Sequence, residues 1–452
     1  MTRELIEGTK FYHQEFVRLE REVAEAEPAW IHRIRQAAFS RFSTIGFPTP
    51  YDEEWRHTDV APLTRIPFQP ATSKPQTLLK EDLVEATFDQ LAGSQLVFLN
   101  GRFSRELSEI RPLPNGVIAG SLADILATSP EKIEFHLTRY ADYEAHAFIA
   151  LNTAFVQDGA FIYIPQDTAI EEPLHLVFAS TAEDMAFITF PRNLIVLGEN
   201  SRSTIIESYI GIQNGVYFTN AVTEIVLGKE ARINHCAFQR ESPKAFHLMT
   251  LAVHQDCGSR SSSTSVMLGG ALARSEVHAV LKAEAIDCSF SGLYLAAGRQ
   301  HIDIQTMVDH AKPGSTSRQL YKGILNGHAS GVFKGRILVR ENAQKTDAAQ
   351  TNQNLLLSEN AVVNTTPQLE IFADDVTCKH GTAVGHLDAE ALFYLRSRGL
   401  GEEAARNLLV YGFASEIIDR LTIEPLRLRL SELLPQWISG DNLPWRLRDH
   451  AR

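Results

Sequence analysis

From Phe148 to about Gly385 the chain is a succession of short apolar runs broken by Gly, Asn and Asp. Within this tract "IVLGENSRSTII" at Ile195–Ile206 is echoed by "IVLGKEARINHC" at Ile225–Cys236. Weaker echoes begin at Ile324 ("ILNGHASGVF") and Leu356 ("LLSENAVVNT") and keep the same shape: apolar pair, turn, small residue, strand. Recurrence of such units points to a solenoid, in which each coil covers the apolar face of the next. A β-sandwich is the competing architecture. The run "GSRSSSTSVMLGGALARSE" favours the solenoid, because tight corners and stacked polar ladders suit small side chains.

The flanks follow a helical period. Phe16, Leu19 and Val23 share one helix face, then Ile31, Ile34 and Ala38 share another, with Pro28 between them. Pro48 and Pro50 end that region. "QLVFLNGRFSREL" predicts a hairpin around Asn100-Gly101. After His386 helices return: Ala391 and Leu395 precede a C-cap at Gly399, Glu402 and Glu403 open the next helix, and Pro425 starts the last. These helices are expected to cap the solenoid, to dock a partner, or both. The reading is a mainly β chain in three parts: a helical domain with a short β segment at 1–145, a parallel β-helix core at 146–386 and a C-terminal helical domain at 387–452.

Composition narrows the function classes. The net charge of -12 argues against a dedicated nucleic-acid binder, which needs cations to displace counterions. No run approaches the ~20 apolar residues that span a bilayer, and the N-terminus reads as neither signal nor transit peptide. The four cysteines, Cys236, Cys257, Cys288 and Cys378, form no CxxC pair and no dense framework. Free thiols in a reducing, cytoplasmic setting are expected. No Walker A loop, GxSxG or HExxH is present, so the chain shows no standard machinery for phosphoryl transfer or hydrolysis.

Most histidines read as structural. His235 and Cys236 are adjacent and would point to opposite faces of a strand. His301 shares a face with Asp303, while His310 and His328 have no close spacing partner. "DDVTCKHGTAVG" at Asp374–Gly385 is different, because Cys378 and His380 share a strand face roughly 6.5–7 Å apart. Thiolate and imidazole both ligate zinc, iron or copper, yet structural zinc wants four ligands and catalytic zinc three. Asp374 and Asp375 lie close, and only one of them can share that face. A metal half-site, a thiolate–imidazolium pair and a plain coil end all remain open on spacing alone.

Three segments add a resemblance that spans essentially the whole length: "PTPYDEEWRHTDVAPL", "LNTAFVQDGAFIYIPQDTAIEEPLHL" and "DDVTCKHGTAVGHLDAEALFYLRSRGL". In these the chain resembles the SufB/SufD family of iron–sulfur cluster assembly scaffolds, on its SufD side. The resemblance implies a right-handed parallel β-helix between helical ends, and a complex with a SufB paralogue and the SufC ATPase. It implies contact with SufC through the C-terminal helices around Leu408, Tyr411, Gly412 and Ile417. It also implies that His380, with Cys378 as its weaker companion, meets a cysteine of SufB where the two β-helices join end to end. The isolated chain would then hold no tightly bound cofactor, and iron or a nascent cluster would pass transiently through the complex. A non-enzymatic scaffold is the leading expectation. A homodimeric structural scaffold and a carbohydrate-active β-helix enzyme are the alternatives.

Overall fold

Ile195 lies in parallel register with Ile225, and Ile206 with Cys236, so the two echoed segments stack as successive coils of a β-solenoid. The computed structural model describes residues 3–23, 27–71, 78, 82–83, 86–88, 91–182 and 185–439; residues 440–452 of the expected third domain lie outside them. Among the described residues the strands form two sheets of 11 and 10 strands, and consecutive solenoid strands alternate between them. The weaker echoes also stack, with Leu325 on Leu356. They occupy the opposite corner: Thr316–Leu325 belongs to the 10-stranded sheet, and Arg192–Leu197 to the other.

Side chains alternate between the lumen and the outer faces. On Arg232–Arg240, Ile233 and Ala237 join the lumen core, whereas Cys236 and Phe238 pack outward under the C-terminal helices. Equivalent corners use left-handed backbone at Asn200 (φ 54°) and Glu230 (φ 57°), so the turn repeats even where its residue changes. The hairpin predicted at Asn100-Gly101 forms, with both residues at positive φ. Its first strand, Ser94–Leu99, continues the 10-stranded sheet by pairing parallel to Leu174–Ser180.

Two helical layers cover the flanks. Arg3–Val23, Ala29–Ile45 and Ala147–Ala154 enclose an aromatic cluster, in which Phe16 stacks on Phe39 with centroids 4.3 Å apart. This cluster rests on Phe218, Phe246 and Leu248 of the 11-stranded sheet. The segment with Trp55 then straps the same outer face. Arg274 sits 3.7 Å over the Trp55 ring, and buried Thr58 donates to Asp303 Oδ2 at 2.6 Å and meets His301 Nε2 at 2.9 Å.

Two histidines are buried on opposite faces of the coil wall, His310 in the lumen and His175 outside it against Phe88. Burial holds His175 down to about 3 and His310 to about 4, against an ordinary value of 6.5. His175 Nε2 meets Ser208 Oγ at 2.7 Å and His310 Nε2 meets Ser317 Oγ at 2.8 Å. Below pH 6.5 the unfolded chain takes up protons that the folded chain refuses. Stability therefore falls as pH falls from 6.5 towards those depressed values, by up to about 1.4 kcal/mol per pH unit per histidine. Melts recorded between pH 7 and pH 4 should steepen on the acid side, and His175→Gln should flatten the slope. An unchanged slope would show that the histidine does not set it.

Candidate functional site

The last coil consists of Val362–Ile371 and Thr377–His386, the terminal strands of the two sheets. Each pairs on one side only, with Ser330–Val339 and Asp347–Leu356 respectively. Their residues are exposed or half-buried throughout, so no described element closes this end. The Thr377 N–H donates to Thr346 O at 2.9 Å. In a parallel ladder alternate residues bond inward, so the N–H groups of Cys378, His380, Thr382 and Val384 point off the edge. On the other terminal strand Val362 N–H bonds inward to Ala329 O, which places Pro367 where its missing donor costs the ladder nothing.

Cys378 and His380 stack on Ala348 and Gln350. Cys378 contacts the cluster of Ile337, Val339, Ala343 and Ala348, so its side chain faces the lumen. Alternation sends His380 to the same face, where it is exposed at the open mouth. Beneath it Gln350 reaches across the lumen to the opposite sheet. A Cβ on Gly335 would lie 1.3 Å from Gln350 Nε2, which explains the glycine there. Gln350 and Gln319, successive in this column, are buried, and their side-chain atoms have no hydrogen-bond partner among the described residues. Directly below His380 the lumen column therefore carries two polar side chains within an otherwise apolar interior.

Burial pushes the Cys378 thiol above its ordinary value, with the Asp347 carboxylate adding to the rise and the Ala348 backbone opposing it. The thiolate–imidazolium reading thus gains no support in the isolated chain. The same effect is larger at Cys236 and Cys288, whose buried thiols are pushed up to about 12. Asp375 is occupied at the corner, where it pairs with Lys345 and its N–H donates to Gln344 Oε1. Among the described residues, the cluster of three metal-capable donors does not include Cys378 or His380. Two potential donors at an open edge are too few for a metal site by themselves.

The C-terminal helices do not lie over this opening. Glu402–Ile418 and Glu424–Ser439 pack on the outer flank of the 10-stranded sheet, where Val410, Ala414 and Leu430 share a cluster with Leu293, Leu320 and Leu355. Lys322 pins the first of them, donating to Phe413 O at 3.0 Å and pairing with Glu416 at 2.7 Å. This corrects one expected docking residue. Ile417 is fully buried in that cluster and holds the helix to the sheet, so it presents no surface. Leu408 and Gly412 do face outward, and Tyr411 is half-buried with its hydroxyl 3.2 Å from Ser431 Oγ. The short helix Ala389–Ser397, capped by Asp388 through the N–H groups of Glu390 and Ala391, buries none of its residues. Of the 14 exposed large hydrophobics among the described residues, eight fall between Val362 and Leu408, so apolar exposure concentrates at this end. Interaction surfaces share this property.

The description "SUF system FeS cluster assembly, SufBD core domain" matches residues 178–413, and "SufBD protein N-terminal region" matches residues 6–176. The chain belongs to the SufBD family. An iron–sulfur cluster assembly SufBD family protein of Synechocystis sp. is 36% identical over 421 residues, covering 91% of this chain and 92% of the relative. The iron–sulfur cluster assembly protein SufD of Escherichia coli is 30% identical, covering 87% and 90%. SufD of Bacillus subtilis is 27% identical, covering 90% and 94%. No described helix is long and apolar enough to cross a membrane.

Two features of this SufBD chain escaped the sequence reading. The Trp55 segment was legible as a proline-bounded break, but its role as a strap over Arg274 and Asp303 depends on contacts more than 200 residues apart. The grouping of His146 with Glu276 and His278 likewise depends on the fold. The only local signal was Glu276-x-His278, an i, i+2 pair on one strand.

Proposed function

We propose that this chain is a non-enzymatic scaffold subunit for iron–sulfur cluster assembly, which pairs end-on with a SufB-type paralogue through Thr377–His386. The observation that carries this reading is the uncapped terminal coil, whose unblocked edge lies beside Cys378 and His380. An exposed ten-residue edge is a template for another strand. A partner laid there would bring its own side chains to the mouth of the lumen and supply the ligands this chain lacks. Iron, or a nascent cluster, is the cargo. The His380 imidazole, when neutral, and the Cys378 thiolate suit iron as donors. The outward face of Leu408, Tyr411 and Gly412, continued by Phe393, Tyr394 and Leu400, supports docking of a SufC-type ATPase. This chain has no P-loop of its own, so nucleotide turnover belongs to that partner.

His380→Ala tests the reading. It is exposed, so the subunit should fold and the complex should still form. Cluster formed on the purified complex under anaerobic iron and sulfide should drop tenfold or more. Unchanged cluster formation would sink the assignment of His380. Cys378→Ser is expected to have the smaller effect. Native mass of the chain alone and with the paralogue separates the heterocomplex from a self-paired dimer.

A further inference from the structure

A second group of metal-capable side chains lies away from the terminal coil, on the outer face of the 11-stranded sheet. Glu276 and His278 leave the strand Leu272–Leu281 on the same side. His146 arrives from the N-terminal region, as the extended residue before the helix Ala147–Ala154. One donor atom from each of the three lies within 4.8 Å of the other two. The His146 and His278 rings meet edge to face, with centroids 4.9 Å apart. The Glu276 carboxylate is divided: Oε1 takes the Arg274 guanidinium at 2.6 Å, and Oε2 turns toward His278 Nε2 at 3.6 Å. Glu54 brings a further oxygen, 3.8 Å from His146 Nδ1.

Access and charge both favour a cation. All three side chains line one open hollow of about 760 Å³. Arg274 is answered by the buried Asp303 carboxylate. The other lining cations are matched as well, Lys334 by Glu53 and Arg336 by Glu370, so Glu276 and Glu54 carry charge that a dication would match. The donor set chooses among dications. Calcium and magnesium prefer shells made wholly of oxygen. Soft ions and clusters prefer thiolates, and none is present. Two imidazoles and one carboxylate with open positions suit a first-row divalent ion such as Fe²⁺ or Zn²⁺. Closing the donors to bonds of about 2.0–2.2 Å needs shifts of roughly 1 Å, and both histidines are only half-buried.

We propose that His146, Glu276 and His278 form a binding site for a divalent first-row transition ion. The choice of Fe²⁺ as its natural occupant rests on the assembly role proposed above; the donor geometry does not. Because His146 belongs to the N-terminal region and the other two to the sheet, a bound ion would clamp one to the other. Metal should then raise the melting temperature of the chain as well as bind to it.

The experiment uses the full chain, stripped of metal, with Cys378→Ser and His380→Ala so that the terminal coil contributes nothing. Co²⁺ is titrated anaerobically, followed by Fe²⁺. The expected result is one equivalent of Co²⁺ with visible ligand-field bands, no thiolate charge transfer and a rise in melting temperature. His278→Gln, and separately His146→Gln, should weaken binding at least tenfold and abolish the rise. His278→Gln changes a half-buried side chain on the outer face of the sheet and decides the matter if His146→Gln fails to fold. Binding that survives His278→Gln unchanged, or no binding at millimolar Co²⁺, overturns the site. Failure of the cluster-assembly reading would leave the Co²⁺ result untouched, so the two fail separately.

Discussion

Thr382→Pro should leave the subunit folded and sharply weaken the proposed end-on pairing. The Thr382 N–H lies off the ladder, because Thr377, an odd-numbered neighbour on the same strand, is the residue bonded to Thr346. Proline there removes no intrachain hydrogen bond, and the chain already tolerates Pro367 at the corresponding kind of position on the neighbouring terminal strand. A partner strand, however, would lose a central hydrogen bond and meet the pyrrolidine ring. Affinity should fall roughly 100-fold, which is about 2.7 kcal/mol. Sedimentation with the purified paralogue measures it, with circular dichroism and melting temperature as controls for folding. Wild-type pairing by Thr382→Pro would mean that the complex does not assemble through this edge.

The second large effect separates two residues on one helix. Ile417→Asp should destabilise the chain by about 4 kcal/mol, since it removes a buried branched side chain and strands a carboxyl in an apolar cluster. That cluster contains Ala414 and Leu430 from the helices, Leu421 from the link between them, and Leu320 and Ile324 from the sheet. The helices would loosen from the sheet, and any partner contact they make would be lost indirectly. Leu408→Asp is the clean test, because Leu408 is 51% exposed. Its melting temperature should stay within a few degrees of the parent, while retention of the SufC-type ATPase in pull-down should drop tenfold or more. Retention at the parental level would remove this face from the docking surface.

The contrast shows where sequence reasoning stops. Leu408 and Ile417 lie on one apolar helix, and the pattern by itself marks both as candidates for contact. Which is buried depends on the rotation of the helix against Leu320 and Leu355, residues far away in the chain. The repeat was legible at Ile195 and Ile225 because their coil is closed by a near-identical corner. It faded elsewhere because coil length drifts: Val222 stacks on Thr250, Thr250 on Glu276, and Lys334 on Thr366. A solenoid needs its strands in register, and it does not need equal corners.

By itself the sequence determined the solenoid, its helical flanks, the i, i+2 placement of Cys378 and His380, and the absence of a phosphate-binding loop. Each of these is local: strand alternation, helical period, turn residues and short motifs act over a few positions. The tertiary structure alone decided that the terminal coil is uncapped, that Cys378 turns into the lumen core while His380 stands at its mouth, and that Ile417 is internal. It also brought His146 to Glu276 and His278, some 130 residues on in the chain. Burial and juxtaposition are sums over distant neighbours, and no local pattern contains them.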